Sequence, residues 1–174
     1  MKIQKTDQPG RLRSRGFHLF IASFFWIGMI SKRMPGTVGS LAATAIVLIL
    51  PRSKLLMAIL AAATLVIGTI SCSAYLRQYG DDKDPEYIVI DEACGIFLGS
   101  SIIYHFGLKS IVAIACNFAL FRLFDIIKPP PIRNIEAALK NSNRAAGFGI
   151  MLDDVLAAIF ASATQILWGV LWER

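Results

Sequence analysis

Apolar residues run along this chain in long blocks rather than in alternation. Six stretches contain no Asp, Glu, Lys or Arg: residues 16–31, 34–51, 55–76, 93–108, 110–121 and 155–172. Only the third and the sixth clearly reach the ~18 residues that a membrane-spanning helix needs. The others, trimmed of Gly and Pro, are nearer about 12 to 16 residues, a length that also suits buried core helices. Period-2 alternation is scarce and Ala and Leu are plentiful, so the pattern predicts helices throughout. Residues 87–90 would pass for a short strand, but an isolated one. The expected fold is all-α, a multihelical bundle of about six helices, membrane-embedded or membrane-associated. No internal repeat and no low-complexity tract interrupts it.

The breaks between the blocks carry topology. Pro51-Arg52-Ser53-Lys54 and Gly107-Leu108-Lys109-Ser110 are short turns, which imply antiparallel helical hairpins. One hairpin joins 38–50 to 55–76, the other 93–106 to 110–127. The start of the first helix and the end of the second then share a side with Asp91, Glu92, Asp125 and Lys128. The last helix, starting near Gly149, leaves from that side, where the two longer polar loops, 77–86 and 128–146, also lie. Nine Lys and Arg fall on the loop side (Lys32, Arg33, Arg77, Lys83, Arg122, Lys128, Arg133, Lys140, Arg144) against four on the other (Arg52, Lys54, Lys109, Arg174). The positive-inside rule makes the loop side cytoplasmic.

Composition agrees with the membrane. Of 174 residues 55% are hydrophobic and 17% charged, and the mean hydropathy is +0.57. That excludes a disordered chain and falls below the charge content of an ordinary soluble domain. The net charge of +6 suits nucleic acid or an anionic membrane face, and the apolar bulk favours the membrane; no nucleic-acid partner is expected. Residues 1–15 form a basic tail, with Lys2, Lys5, Arg11, Arg13 and Arg15 against Asp7, ahead of a single domain over 16–174. The tail reads equally as a solvated terminus or as a contact for anionic lipid heads. A signal peptide would need a small-x-small cleavage site after the apolar run. The chain has Ser31-Lys-Arg-Met-Pro35 instead, so this helix is expected to be retained. Three widely spaced cysteines make no disulfide framework, and His18 and His105 cannot by themselves supply a typical zinc site.

Four segments gather chemistry on the loop side: Met34-Pro-Gly-Thr-Val-Gly-Ser40, Ile88-Val-Ile-Asp-Glu-Ala-Cys-Gly95, Phe121-Arg-Leu-Phe-Asp-Ile-Ile-Lys-Pro-Pro-Pro-Ile-Arg133 and Gly147-Phe-Gly-Ile-Met-Leu-Asp-Asp-Val155. Asp91, Glu92, Asp125, Asp153 and Asp154 all abut or interrupt apolar helices. Burying a carboxylate is costly unless it is paired or binds a cation. Converging carboxylates repel one another, and hard oxygen donors without His or thiolate suit Mg²⁺. Helix capping would explain either acidic pair alone; both pairs together with Asp125 favour the metal. Arg122, Asp125 and Lys128, at i, i+3 and i+6, face one way on a helix. They form an intrahelical ion pair, a polar stripe towards an anionic substrate, or both. The proline triplet stops that helix and sets Arg133 just beyond, within reach of the same pocket. Gly36, Thr37 and Ser40 open a helix whose amides would attract phosphate, although an N-cap role suits Thr37 or Ser40 as well.

Other patterns carry less. Cys116 and Arg122 have the C-x5-R spacing of thiol phosphatases, but no glycine lies between them to shape a phosphate cradle. Asp82-Lys-Asp84 follows no buried strand, and there is no Gly-x-Ser-x-Gly elbow.

Taken together, the four ordered motifs resemble the phosphatidylglycerophosphatase A family over roughly residues 34–158: Pro-Gly-Thr-Val-Gly-Ser, Ile-Val-Ile-Asp-Glu with Gly95 three residues on, Phe-Arg-Leu-Phe-Asp-Ile-Ile-Lys-Pro, and Gly-Ile-Met-Leu-Asp-Asp-Val. Pro130 stands where a bulky aromatic is expected, and Ala93-Cys94 where small apolar residues are usual; no charged position is affected. The resemblance implies an all-helical, Mg²⁺-dependent bacterial enzyme of the inner membrane. It would hydrolyse the phosphate monoester of phosphatidylglycerophosphate to phosphatidylglycerol, with its active site facing the cytoplasm. Carried over by position, Asp91, Asp125, Asp153 and Asp154 are the metal candidates. Glu92, Asp125 and Asp154 are the catalytic candidates, with Glu92 orienting the attacking water. Arg122 and Lys128 become phosphate contacts; Arg133, Gly36, Thr37 and Ser40 are further phosphate candidates by their placement alone. The alternative is a small cation or proton transporter, since intramembrane carboxylates also mark ion pathways. A transporter would place its acids at mid-membrane, and cations beside them would repel its cargo.

Overall fold

The structure, a computed structural model, describes residues 9–79, 86–130 and 146–172. Among these lie six α-helices: α1 (Pro9–Ala22), α2 (Pro35–Ile49), α3 (Lys54–Tyr79), α4 (Ile90–His105), α5 (Ile111–Ile127) and α6 (Ala146–Trp172), with a 3-10 turn at Ile27–Met29. The all-helical expectation holds. Residues 87–90 form no strand; they pass from a turn into α4, and the Val89 N–H donates to the Ala22 carbonyl at 3.0 Å.

The middle of the bundle is α4, against which α2, α3, α5 and α6 all pack. Its sequence permits this because buried small residues, among them Ala93, Gly95, Gly99 and Ser100, occur on several faces. At Gly95 the requirement is steric: a β-carbon would strike the Phe121 ring and approach the Asp154 carbonyl. The larger apolar core, with Val47, Met57, Phe97, Phe121 and Ala157, surrounds α4. A smaller one, with Cys72, Tyr75, Ile90, Cys94 and Met151, joins α3 to the starts of α4 and α6.

Sequence and structure part at three places. The first hairpin does not form as two neighbours: α2 packs on α4, α5 and the 3-10 turn, and α4 stands beside α3. The side-sharing survives, because Gly36 in α2 lies against Glu92 at the start of α4, and Gly68 in α3 lies near Ile90. The first apolar run does not make one helix. From residue 9, the expected tail is already helical, starting at a proline, which suits a first turn. The helix ends at Ala22, where Phe24, Phe25 and Trp26 take φ of 48°, 60° and 67°. The last helix begins at Ala146 rather than near Gly149 and carries both Asp153 and Asp154 inside it.

Among the described residues two helices are long and apolar enough to cross a membrane, Lys54–Arg77 and Gly147–Gly169. Their outer faces leave Leu55, Ile59, Val66, Ile70, Leu167 and Trp168 exposed. In water such a surface would be an aggregation hazard; in a bilayer it is the expected coat. The protein is a helical membrane-associated bundle.

Candidate active site

Three helices bring the acids to one end. Asp91 and Glu92 lie in the first turn of α4. Arg122 and Asp125 lie in the last turns of α5, which stops at Lys128 in a left-handed cap (φ 44°) just before Pro129. Asp153 and Asp154 lie two turns into α6, not in its first turn, so capping does not account for that pair. Their burial is severe: Asp153 is 8% exposed and Asp154 3%.

Carboxylate oxygens of Asp91, Glu92 and Asp154 all fall within 4.8 Å of one another. They line a cavity of about 190 Å³ together with Asp125, Lys128 and Asp153, and with Glu86, Ile88 and Ile150. Lys128 Nζ donates to Asp153 Oδ2 at 2.6 Å. Arg122 Nη1 sits 2.7 Å from Asp125 Oδ2 and 3.9 Å from Glu92 Oε1. The same guanidinium donates to Ser40 Oγ at 3.3 Å and to Thr37 Oγ1 at 3.4 Å.

Gly36, Thr37 and Ser40 thus have a role in the fold other than capping. The cap residue of α2 is Met34, without a side-chain hydrogen bond, and Pro35 opens the helix. Ser40 Oγ donates to the Gly36 carbonyl at 2.8 Å and accepts from Arg122. A β-carbon at Gly36 would collide with the Glu92 carboxylate. The segment therefore holds Arg122 and Glu92 in place from behind the cavity. Arg122 and Lys128 do not form one stripe. The left-handed cap turns Lys128 towards α6, while Arg122 reaches to α2 and α4. Arg133 lies outside the described residues. The sequence did not single out Glu86, Ile88 or Ile150 as lining groups, although Ile88 and Ile150 lie inside two of the motifs and Glu86 two residues before one.

At the start of α4, outside the two long apolar helices, electrostatics favour a cation. Burial, with Asp154 and Asp125 adding to it, pushes Glu92 up to about 8 although the Asp91 hydrogen bond and Arg122 oppose this. Burial and the neighbouring Glu92 and Asp153 charges hold Asp91 well above the usual carboxylate range. Glu92 Oε2 and Asp154 Oδ2 are buried with no hydrogen-bond partner among the described residues. Orphaned, mutually repelling hard oxygens are what a divalent cation satisfies, and the residues present fit Mg²⁺. Asp125 and Asp153, expected as further ligands, line the same cavity and are ion-paired through Oδ2 with Arg122 and Lys128.

Clustered acids faced by two cations, at one end of an apolar helical bundle, define a class: a helical, membrane-associated phosphatase. Comparison with known proteins gives the family. The family model described as phosphatidylglycerophosphatase A matches residues 20–168. A protein named phosphatidylglycerophosphatase A from Haemophilus influenzae is 40% identical over 81% of this chain and 82% of its own. One of the same name from Escherichia coli is 28% identical over 97% of this chain and 92% of its own. A putative phosphatidylinositol-3-phosphatase from Bacteroides thetaiotaomicron is 33% identical over 73% of this chain and 78% of its own. No solved structure matches significantly. The chain belongs to the phosphatidylglycerophosphatase A family.

Proposed function

We propose that this enzyme removes the terminal phosphate of phosphatidylglycerophosphate by Mg²⁺-assisted attack of water, at the cytoplasmic face of a bacterial inner membrane. The observation that carries the reading is the meeting of Asp91, Glu92 and Asp154 within 4.8 Å in a cavity that Lys128 also lines. Asp91 and Asp154 would hold the metal, with Glu92 beside them. Bound there, Mg²⁺ supplies positive charge against the phosphate oxygens.

The chain's own residues do the rest. Lys128 stands on the cavity wall and draws the phosphate dianion in; Arg122 adds positive charge from behind Glu92 and Asp125. Glu92 orients the attacking water and takes its proton, as a buried carboxyl raised to about 8 is suited to do near neutral pH. Direct attack by water fits the site, because the described residues that line the cavity include no Cys, Ser or His. The thiols of Cys72 and Cys94 are buried elsewhere and Cys116 is exposed. The transporter reading gains no support: the acids sit at one end of the bundle, beside cations.

Phosphate release from phosphatidylglycerophosphate in mixed micelles tests both halves. Release should stop in excess chelator and return with Mg²⁺. No release under any condition overturns the activity. Full release in chelator, with no metal in the protein, overturns the metal alone.

A further inference from the structure

A second groove adjoins the acidic cavity. Its volume is about 330 Å³, and it runs between the Gly28–Lys32 turn, Pro35 and Tyr87, with Glu86 lining it as well. Glu86 also lines the acidic cavity, so it stands where the two meet. Lys32, exposed on the groove, makes no ion pair among the described residues. We infer that the groove binds the rest of the lipid headgroup. Lys32 pairs with the phosphodiester, and Glu86 accepts a hydrogen bond from the hydroxyl that lies between the two phosphates. The inference rests on phosphatidylglycerophosphate being the substrate.

Order along the ligand and order along the protein agree. The headgroup runs from phosphate monoester through a hydroxylated three-carbon bridge to a phosphodiester, and then to the diacylglycerol. The protein runs from the carboxylate cavity through Glu86 to Lys32, and then to a turn whose Phe25, Trp26, Met29 and Ile30 are exposed, Ile30 at 74%. A carboxylate between two phosphates is misplaced unless it meets a donor, and the bridge offers one, its hydroxyl. A cation at the next position matches the diester charge. Apolar and aromatic side chains beyond it suit the level at which headgroups give way to acyl chains.

The walls are built to hold shape. Phe24, Phe25 and Trp26 all take left-handed backbone angles, which side chains resist. Ser23 holds the turn: its Oγ accepts from Trp26 N at 3.1 Å and its carbonyl from Gly28 N at 3.0 Å. Across the groove, the hydroxyl groups of Tyr87 and Tyr75 are hydrogen-bonded to each other.

The test compares phosphatidylglycerophosphate with phosphatidic acid, whose monoester sits directly on diacylglycerol with neither diester nor bridge hydroxyl. Inhibition by phosphatidylglycerol, which keeps the diester, is measured alongside, in neutral detergent micelles with Mg²⁺. Lys32→Ala and Glu86→Gln should each raise KM for phosphatidylglycerophosphate about three- to tenfold, with kcat held. Both should weaken phosphatidylglycerol inhibition; Lys32→Ala should leave phosphatidic acid kinetics unchanged, and Glu86→Gln, which also borders the acidic cavity, should raise KM for phosphatidylglycerophosphate more than for phosphatidic acid. Arg33→Ala, one residue on and not lining the groove, controls for general attraction to anionic lipid and should change nothing. Unchanged KM and inhibition in both variants, or equal losses on both lipids, would overturn the inference. A parent enzyme inactive on phosphatidylglycerophosphate is a different result and overturns the substrate reading instead.

Discussion

At the scale of single residues, Arg122 is the side chain on which most of the site depends. It touches Asp125, Glu92, Thr37 and Ser40 from three helices. Arg122→Ala strands two acids beside Asp91 and Asp154, and should cost about 1–3 kcal/mol in unfolding free energy. Turnover should fall roughly 10²-fold or more. Arg122→Lys should rescue little, because a point charge cannot span the partners of a planar fork. Thermal melts and phosphate release read both effects. Asp125→Asn and Lys128→Ala separate the roles further. Asp125→Asn releases Arg122 from its closest anion and should lower turnover at every Mg²⁺ concentration. Lys128→Ala should act on kcat/KM for the lipid. Protonation gives a sign as well. With Glu92 at about 8, much of it is protonated at pH 7, and a Mg²⁺ ion bound there as proposed would displace that proton. Apparent Mg²⁺ affinity should therefore rise from pH 6.5 to 8.5 and level off above, with proton release visible by calorimetry in buffers of different ionisation heat. Affinity that falls over that range contradicts the assignment. The five acids and both cations were legible in the sequence, because charges interrupting apolar runs demand a reason. The Arg122–Asp125 pair was legible too, from its i, i+3 spacing; the Lys128–Asp153 pair was not, because that spacing assumes a helix that continues through Lys128.

Among the elements, α4 decides whether a site exists. Its glycine at position 95 lets α6 and Phe121 come close enough to set Asp154 beside Asp91 and Glu92. Gly95→Val should push α6 away, cost about 1–3 kcal/mol of stability and abolish most turnover. Gly95→Ala should do less of both. A folded, fully active Gly95→Val protein would show that this approach is not needed. Element geometry also disposes of the C-x5-R pattern. Cys116 is exposed on α5, while Arg122 turns inward. Cys116→Ser should keep parental turnover, and alkylating the exposed thiol should not abolish it. The helices themselves were legible from the charge-free runs. The break after Ala22 was not: nothing in an unbroken apolar run announces three successive residues in the left-handed region. The wrong neighbour for α2 has a similar cause, since a short turn fixes chain direction but not which faces are apolar enough to pack.

For the whole molecule, the testable quantity is orientation. The residues flanking both polar loops lie at the carboxylate end of the bundle, and the charge bias predicts a cytoplasmic position for that end. In a background lacking the three native cysteines, single cysteines replacing Lys83 and Lys140 should be shielded from an impermeant reagent in intact cells and labelled after permeabilisation. Ready labelling of both from outside would invert the topology. The sequence by itself determined that the chain is helical and apolar, and which charges it keeps, because helix length and the cost of burying charge are local properties of a chain in lipid. It also determined the family, through four motifs in fixed order. Only the tertiary structure decided which acids share a cavity, that Arg122 is held by Thr37 and Ser40, and that Glu86 joins two grooves. These depend on how closely α2, α5 and α6 approach α4, and that distance is set by side chains far apart in the chain.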